Sequence, residues 1–246
     1  MAHARSITTP ALDRSSRRIR IEVTQRVTFR AMNILLVRHG ETAWNREGRY
    51  QGRTDIPLSE IGQAQVRRLG ERLKTIQIET AYASPLARAK NTAEAILAGR
   101  TTPLWLDAGL IEISHGAWEG QLASDVEIAH AEMFGLWRSR PGRHSPAGPG
   151  AETLGDVETR AWPVIERVCA QLSAEGTALV AAHDAVNRVI LCRVLGLPLE
   201  RIWSFRQAPA SLNVLSGPSI AELQVVRLND AEHVAPLLGE ALHRAV

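Results

Sequence analysis

Cysteine and long apolar segments are scarce in this 246-residue sequence. Cys169 and Cys192 form no Cys-x-x-Cys pair, which excludes a disulfide-rich scaffold and makes the reducing cytoplasm the expected compartment. No apolar run approaches the length of about eighteen residues that a membrane span requires, so no membrane association is expected. The remaining composition, 45% hydrophobic and 22% charged, is typical of a globular protein with a sizeable core.

Basic charge is concentrated at the N-terminus. Residues 1–31 hold seven Arg against Asp13 and Glu22, a net charge of +5 out of the total of +3, so the rest of the chain sums to −2. A nearly neutral main body excludes nucleic-acid binding as its principal task. The basic segment lacks the continuous apolar stretch of a secretory signal, although its Arg, Ser and Thr content weakly resembles a transit peptide.

The pattern of the chain changes at Met32. We expect residues 1–31 to form a disordered basic extension, with a short edge strand at residues 21–29 as the alternative. Over residues 32–246, short apolar runs alternate with helical periods. This alternation predicts a single α/β domain with a mainly parallel central sheet flanked by helices on both faces.

Individual elements follow from the same pattern. Strands are predicted at residues 34–37, 81–84, 177–182, 212–215 and 222–228. Helices are predicted after the N-cap Ser59, from Pro85 to Ala98, over 121–137, through 157–172 with a kink at Pro163, and over 186–195. Residues 138–150, rich in Pro and Gly, predict a loop.

Two of the predicted strands end in histidine. The first ends in Arg38-His39-Gly40, and the strand at 177–182 is followed by His183. Ligands of open α/β folds bind at the carboxyl ends of the strands, and Gly40 lets the backbone turn sharply or approach an anion. A lone histidine at a strand end more often has a structural role. A functional role for these histidines therefore depends on which other side chains lie at the same edge of the sheet.

Two further groups are predicted at the same edge. Arg88 lies in the first turn of a helix that follows a strand, where its guanidinium can join the helix amides in holding an anion. Glu112 precedes the Gly-rich residues 116–120 and offers a carboxylate. With both histidines and Arg38, these groups predict a phosphate pocket that has its own acid, and no metal or cofactor is expected because the arginines and histidines can neutralise the phosphate.

The motifs together resemble the histidine phosphatase superfamily, also called the phosphoglycerate mutase-like superfamily. The resemblance runs from about Met32 to Leu228. Five ordered motifs carry it: Arg38-His39-Gly40-Glu41-Thr42, Tyr50-Gln51-Gly52 with Asp55 and Pro57-Leu58, Ser84-Pro85-Leu86 with Arg88, Glu112 with Gly116 and Trp118-Glu119-Gly120, and His183. It implies that residues 32–246 are a catalytic domain in which His39 attacks phosphorus and the phosphohistidine is then hydrolysed.

The resemblance also implies a role for each site residue. Glu112 would protonate the leaving group and later accept a proton from water, in preference to Glu119 and Glu41. The groups expected to contact the phosphorylated substrate are Arg38, Asn45, Gln51, Gly52, Arg88 and His183.

Three features leave alternatives open. Most relatives have Gly after the second histidine, whereas this chain has Asp184, which could cap the following helix, pair with an Arg or select a substrate; capping is the simplest explanation. His115 is interpreted as a surface loop residue rather than a substrate contact. Large aromatic residues could line the pocket but are more often core: Trp118, Phe134, Trp137, Trp203 and Phe205.

The favoured function is hydrolysis of a small phosphomonoester. A phosphoglycerate mutase-type isomerase is the first alternative, but residues 121–150 contain no Lys or Tyr, unlike the substrate segment typical of mutases. A non-catalytic domain that binds a phospho-ligand is the second alternative, and the intact set of site residues disfavours it. The sequence leaves a homodimer open.

Overall fold

A computed structural model describes residues 31–237. The predicted basic extension, apart from Ala31, and its alternative strand at residues 21–29 lie outside the described residues. Within residues 31–237 six strands form one sheet in the order β3-β2-β4-β1-β5-β6. Their bounds are β1 Met32–Arg38, β2 Thr80–Ala83, β3 Leu104–Leu106, β4 Thr177–Ala182, β5 Leu212–Gly217 and β6 Gln224–Asp230.

The sheet is mainly parallel, as predicted. β3, β2, β4 and β1 run parallel to one another, while β5 is antiparallel to β1 and β6 is antiparallel to β5. β1 and β4 are therefore central, and both are buried along most of their length. Their near-continuous apolar runs are what a strand covered on both faces requires.

Helices cover both faces of the sheet. Those described are α1 Ala43–Glu47, α2 Glu60–Arg72, α3 Ala87–Leu97, α4 Ala123–Ala129, α5 Ala131–Ser139, α6 Leu154–Gln171 and α7 Asp184–Val194. Successive side chains of β1 pack into the hydrophobic cores on opposite faces of the sheet, because side chains alternate across a strand. Ile34 and Leu36 pack with α6 and α7, whereas Leu35 and Val37 pack with α2 and α3.

The structure corrects several predicted elements. β3 was not predicted, because this edge strand has three residues and leaves Trp105 and Leu106 half exposed. The helix predicted over 121–137 is two helices that meet at His130. Helix α3 begins at Ala87 rather than at Pro85. The helix predicted through Pro163 is present as α6, which begins three residues earlier than predicted. No helix within residues 31–237 is long and apolar enough to cross a membrane.

Candidate active site

The two histidines that follow strands lie side by side. In the parallel pair β1 and β4, Arg38 is in register with Ala182, and the backbone N–H of His39 donates to the Ala182 carbonyl at 3.0 Å. The rings of His39 and His183 are consequently 5.2 Å apart between centroids, at 60° to each other. Both side chains are buried. The predicted meeting of the two histidines at the carboxyl edge of the sheet is present in the structure.

The surroundings of His39 determine which ring nitrogen can react. Nδ1 lies 2.7 Å from the carbonyl oxygen of Gly40. Because a carbonyl only accepts, Nδ1 carries the proton, and the lone pair of a neutral ring is on Nε2. Burial, followed by the positive charges of Arg88 and Arg38, holds the pKa of His39 well below its usual value, although the Gly40 hydrogen bond opposes this. His39 is therefore neutral near pH 7, as a nucleophilic imidazole must be.

Arg88 is fixed by the loop before α2. Its Nη1 and Nη2 donate to the carbonyls of Thr54 and Gly52, each at 2.8 Å. Burial lowers the pKa of Arg88 to about 10, which leaves the guanidinium charged at neutral pH. Arg38, from the end of β1, donates through Nη1 to the carbonyl of Gln207. Both arginines are thus oriented by backbone carbonyls rather than free in solvent.

Several buried donors of this group have no hydrogen-bond partner among the described residues. They are Nε of Arg38, Nε of Arg88 and the one protonated ring nitrogen of His183, a ring that burial keeps neutral by lowering its pKa. A buried donor without an acceptor is costly, at about 1–3 kcal/mol each, and such groups are rare in folded proteins. An anion with several oxygen atoms would satisfy them together. This arrangement suits a phosphoryl group next to Nε2 of His39.

Glu112 supplies a carboxyl group to the same place. Its Oε1 accepts from the backbone N–H of Ile113 at 2.9 Å, and its Oε2 accepts from that of Ala185, in the first turn of α7, at 3.4 Å. Burial, and after it the charge of Asp184, raise the pKa of Glu112, while Arg88 and Arg38 partly oppose the rise. A raised pKa is what a general acid working near neutral pH needs.

The competing glutamates are engaged elsewhere. Glu119 accepts hydrogen bonds from the backbone of Arg53 and His115 and from the hydroxyls of Thr54 and Ser114. Glu41 accepts from Arg46 and from the Ser59 hydroxyl. Both carboxylates therefore hold loops together.

Asn45, Gln51 and Gly52 lie around the loop after β1. Asn45 forms a capping box with Thr42, and Oε1 of Gln51 accepts from the Thr42 hydroxyl at 3.0 Å. Gly52 contributes through its backbone, since its carbonyl holds Arg88 and its φ of +53° favours glycine. A Cβ at Gly52 would also lie 2.1 Å from Oε1 of Glu119.

Comparison with known proteins identifies the family. The model of the histidine phosphatase superfamily (branch 1) matches residues 34–231. The chain belongs to this superfamily. The chain is also 33% identical over 215 residues to "Phosphoserine phosphatase 1" of Hydrogenobacter thermophilus, covering 87% of this chain and all of the relative. It is 31% identical over 216 residues to "Probable phosphoglycerate mutase GpmB" of Klebsiella pneumoniae, covering 85% of this chain and 98% of the relative.

A solved structure of similar fold supports the same assignment. "Bacillus stearothermophilus YhfR" superposes with a TM-score of 0.76 at 29% identity, over 82% of this chain and 99% of that one. The predicted fold class and enzyme class, a histidine phosphatase with a phosphoglycerate mutase-like fold, are therefore confirmed. Among residues 31–237 no group of three or more His, Cys, Asp or Glu side chains is placed to hold a metal ion.

Two interpretations of single residues in this histidine phosphatase were wrong. Asp184 does not cap α7, because His183 is the N-cap and Asp184 is the first helical residue, buried against Arg38 and Arg188. His115 is not on the surface. Its ring is buried beside Tyr50, and its Nδ1 lies 2.9 Å from the Ala147 carbonyl.

The aromatic residues follow the core interpretation. Trp118 and Trp137 are buried in the larger core, and Phe134, Trp203 and Phe205 pack against it partly exposed.

Sequence reasoning missed the residues that hold the Glu112 loop. Arg160 of α6 donates to the carbonyls of Gly109, Ile111 and Glu112 at 2.9, 2.5 and 3.2 Å. Glu152 pairs with Arg160 and accepts from the backbone N–H of Ser114 at 2.9 Å. Neither residue lies in a recognisable motif, so the sequence alone gave no signal for them.

Proposed function

We propose that this protein hydrolyses a small phosphomonoester through a phosphohistidine on His39, with Glu112 as general acid and base. The observation that carries the proposal is the set of buried donors without partners beside the unprotonated Nε2 of His39. Arg38, Arg88 and His183 would stabilise the charge on the phosphoryl oxygens in the transition state.

The first step transfers the phosphoryl group to the enzyme. The lone pair on Nε2 of His39 forms the P–N bond, and the ester P–O bond breaks. The departing alkoxide takes the proton of the Glu112 carboxyl, which burial helps to retain. The Nδ1 proton stays hydrogen-bonded to the Gly40 carbonyl and stabilises the positive ring that forms.

The second step returns the enzyme to its starting state. Glu112, now ionised, accepts a proton from a water molecule whose oxygen attacks phosphorus. The P–N bond breaks, its electron pair returns to Nε2, and inorganic phosphate leaves. A covalent intermediate of this kind divides one difficult displacement into two easier ones.

Water is the proposed acceptor of the phosphoryl group. Residues 121–150 carry no Lys or Tyr that would hold a second phosphorylated substrate. The similarity to a phosphoserine phosphatase supports small phosphorylated metabolites as substrates, whereas the similarity to a phosphoglycerate mutase keeps the isomerase as the second candidate. Release of phosphate from a panel of phosphomonoesters, measured beside the interconversion of 2- and 3-phosphoglycerate, separates the two.

The role of Glu112 can be tested by comparing two substrates that differ in their leaving group. An alkyl phosphate has a poor leaving group that needs a proton, whereas p-nitrophenyl phosphate has a good one that does not. In Glu112→Gln we expect kcat/KM to fall by about 100-fold or more for the alkyl phosphate and by much less for p-nitrophenyl phosphate. Glu41→Gln, which changes a carboxylate used to hold a loop, should affect both substrates equally. Equal losses for both substrates in Glu112→Gln would contradict the proposal.

A further inference from the structure

Asp184 places a buried negative charge beside the proposed phosphate site. It is the first residue of α7, directly after His183. Its Oδ1 lies 3.0 Å from Nε of Arg188 and 3.6 Å from Nη1 of Arg38, and all three side chains are at most 6% exposed. A carboxylate this close to a site for a dianion would repel the substrate, unless its charge serves the surrounding groups.

We propose that Asp184 is a positioning residue of the phosphatase site, which fixes Arg38 for phosphate binding and acts through its charge on the neighbouring carboxyl group of Glu112. This inference rests on the proposed function. It assigns a role to the buried carboxylate that directly follows His183.

The contacts of Arg38 carry the first part of the proposal. Nη1 of Arg38 is held between Oδ1 of Asp184 and the carbonyl of Gln207. This leaves Nε buried without a partner among the described residues. One end of the guanidinium is fixed by a hydrogen bond to Gln207 and an ion pair with Asp184, so the planar group is held in one orientation for binding a phosphoryl group.

The surroundings of Glu112 carry the second part. Its carboxyl accepts from the N–H of Ala185, the residue next to Asp184, so the two carboxyl groups share the N-terminus of α7. The charged groups that act on Glu112 are Asp184 from α7, Arg88 from α3 and Arg38 from β1. Asp184 alone among them disfavours ionisation of Glu112, because like charges repel.

A purely structural role for Asp184 is the competing explanation. Arg188 donates to the carbonyls of Ile202 and Phe205 and so fixes the 3₁₀ turn at Leu199–Ser204 against α7. Asp184 would then only balance the buried charge of Arg188. That role predicts lower stability after substitution and an unchanged pH dependence of catalysis, so the pH profile separates the two explanations.

The test compares Asp184→Asn with the wild-type protein. For an alkyl phosphate we measure kcat and KM across pH, with the same substrate for both proteins so that its own ionisation cancels. We expect the alkaline limb of kcat/KM to move to lower pH by at least about half a unit, and KM to rise several-fold. The acidic limb, which reports His39, should move less than the alkaline limb, because burial and Arg88 lower the pKa of His39 more than Arg38 does, and Asp184 acts on this pKa only through Arg38.

Asp230→Asn is the matched control. Asp230 also pairs with an arginine, at 2.5 Å from Nη2 of Arg72, and its side-chain partners within residues 31–237, Arg72, Arg227 and the N–H of Glu232, lie outside the proposed site. Asp230→Asn should lower the free energy of unfolding and leave both limbs of the pH profile of kcat/KM unchanged. If Asp184→Asn does not fold, the double variant Asp184→Asn with Arg188→Met removes the unpaired charge, and the same shift is expected in it.

Glu112→Gln separates failure of this proposal from failure of the proposed function. If Glu112 is the acid, the alkaline limb disappears in Glu112→Gln. An alkaline limb that disappears in Glu112→Gln and stays unmoved in Asp184→Asn would overturn the role of Asp184 alone. A limb that persists in Glu112→Gln would overturn the proposed function itself.

Discussion

At the scale of single residues, the proposed reactivity of His39 depends on one backbone carbonyl. The Gly40 oxygen fixes the Nδ1 proton and thereby leaves the lone pair on Nε2. His39→Ala removes that lone pair, so we expect kcat to fall ~1000-fold or more with the fold retained. Quenching under alkaline conditions with ³²P-labelled substrate should trap a phosphohistidine in the wild-type protein only. Undiminished turnover in His39→Ala would rule out the mechanism, and His144→Ala, which changes an exposed histidine, is the control.

Buried histidines also predict how stability depends on pH. Burial lowers the pKa of His39, His115, His183 and His233 below 6.5 in the folded protein. Below pH 6.5 the unfolded chain therefore binds more protons than the folded one, and the free energy of unfolding must decrease as the pH falls. The raised pKa of Glu112 acts in the opposite direction, but it is one group against four.

Urea unfolding at a series of pH values measures this dependence. We expect the free energy of unfolding to decrease steadily between about pH 6.5 and pH 5, above the range in which ordinary carboxylates titrate. His115→Gln should reduce the slope without removing a proposed catalytic group. A stability that is constant over this interval would contradict the assignment of neutral buried histidines.

The charge of the site predicts independence from metal ions. Arg38 and Arg88 supply two positive charges, and the protonated ring nitrogen of His183 supplies a further donor. Extended dialysis against EDTA should therefore leave kcat/KM unchanged. A loss of activity that Mg²⁺ or Zn²⁺ restores would show that the arginines do not neutralise the phosphate alone.

At the scale of elements, the start of α2 packs closely against the loop that follows the proposed nucleophile, His39. A Cβ at Gly62 would lie 2.0 Å from the Glu41 carbonyl, and one at Gly40 would lie 2.7 Å from the Gly62 carbonyl. Gly62→Ala must therefore push α2 away from this loop. We expect a loss of about 1–3 kcal/mol in stability, as for other overpacked sites, together with reduced kcat.

Gly135→Ala is the matched control for that substitution. Gly135 is also helical, in α5, but nothing lies within 4 Å of an added Cβ. Alanine is the better helix former, so this variant should gain up to about 1 kcal/mol. Thermal and urea unfolding of both variants, with kinetics, measures the difference. If Gly62→Ala behaved like Gly135→Ala, the close packing of α2 would be wrong.

The sequence was sufficient to predict some of the strands and helices but not others. β1 and β4 are buried on both faces, so their apolar runs were recognisable, and parallel pairing brought the residues after them together. β3 was missed because Leu104–Leu106 is short and half exposed, and the break at His130 lies in a segment whose composition favours one helix. The pairing of Asp184 with Arg38 was not predictable, since Arg38 meets it only after β1 and α7 are folded side by side.

At the scale of the whole molecule, residues 1–31 are predicted to be separable from the catalytic domain of residues 32–246. Within residues 31–237, β1 begins at Met32, and its pairs with β4 and β5 begin at Asn33 and Met32. A chain that begins at Met32 should keep its kcat and lose less than about 1 kcal/mol of stability. Thermal unfolding of both chain lengths measures this. A melting temperature lowered by several degrees, or a lower kcat, would show that the basic segment belongs to the domain.

The nitrogen atoms of Arg38, Arg88 and His183 that lack a partner among the described residues make the stability of the ligand-free protein depend on the anions in its buffer. A ligand that binds only the folded form adds RT ln(1 + [L]/Kd) to its stability, about 2.7 kcal/mol at a hundred times Kd. Orthophosphate, the proposed product, would supply oxygens to Arg38, Arg88 and His183. A melting temperature recorded in phosphate buffer would therefore include the stabilisation by bound product. In a buffer without oxyanions the same protein would unfold at a lower temperature. The difference between the two melting temperatures, measured over a range of phosphate concentrations, gives the affinity of the site without any turnover.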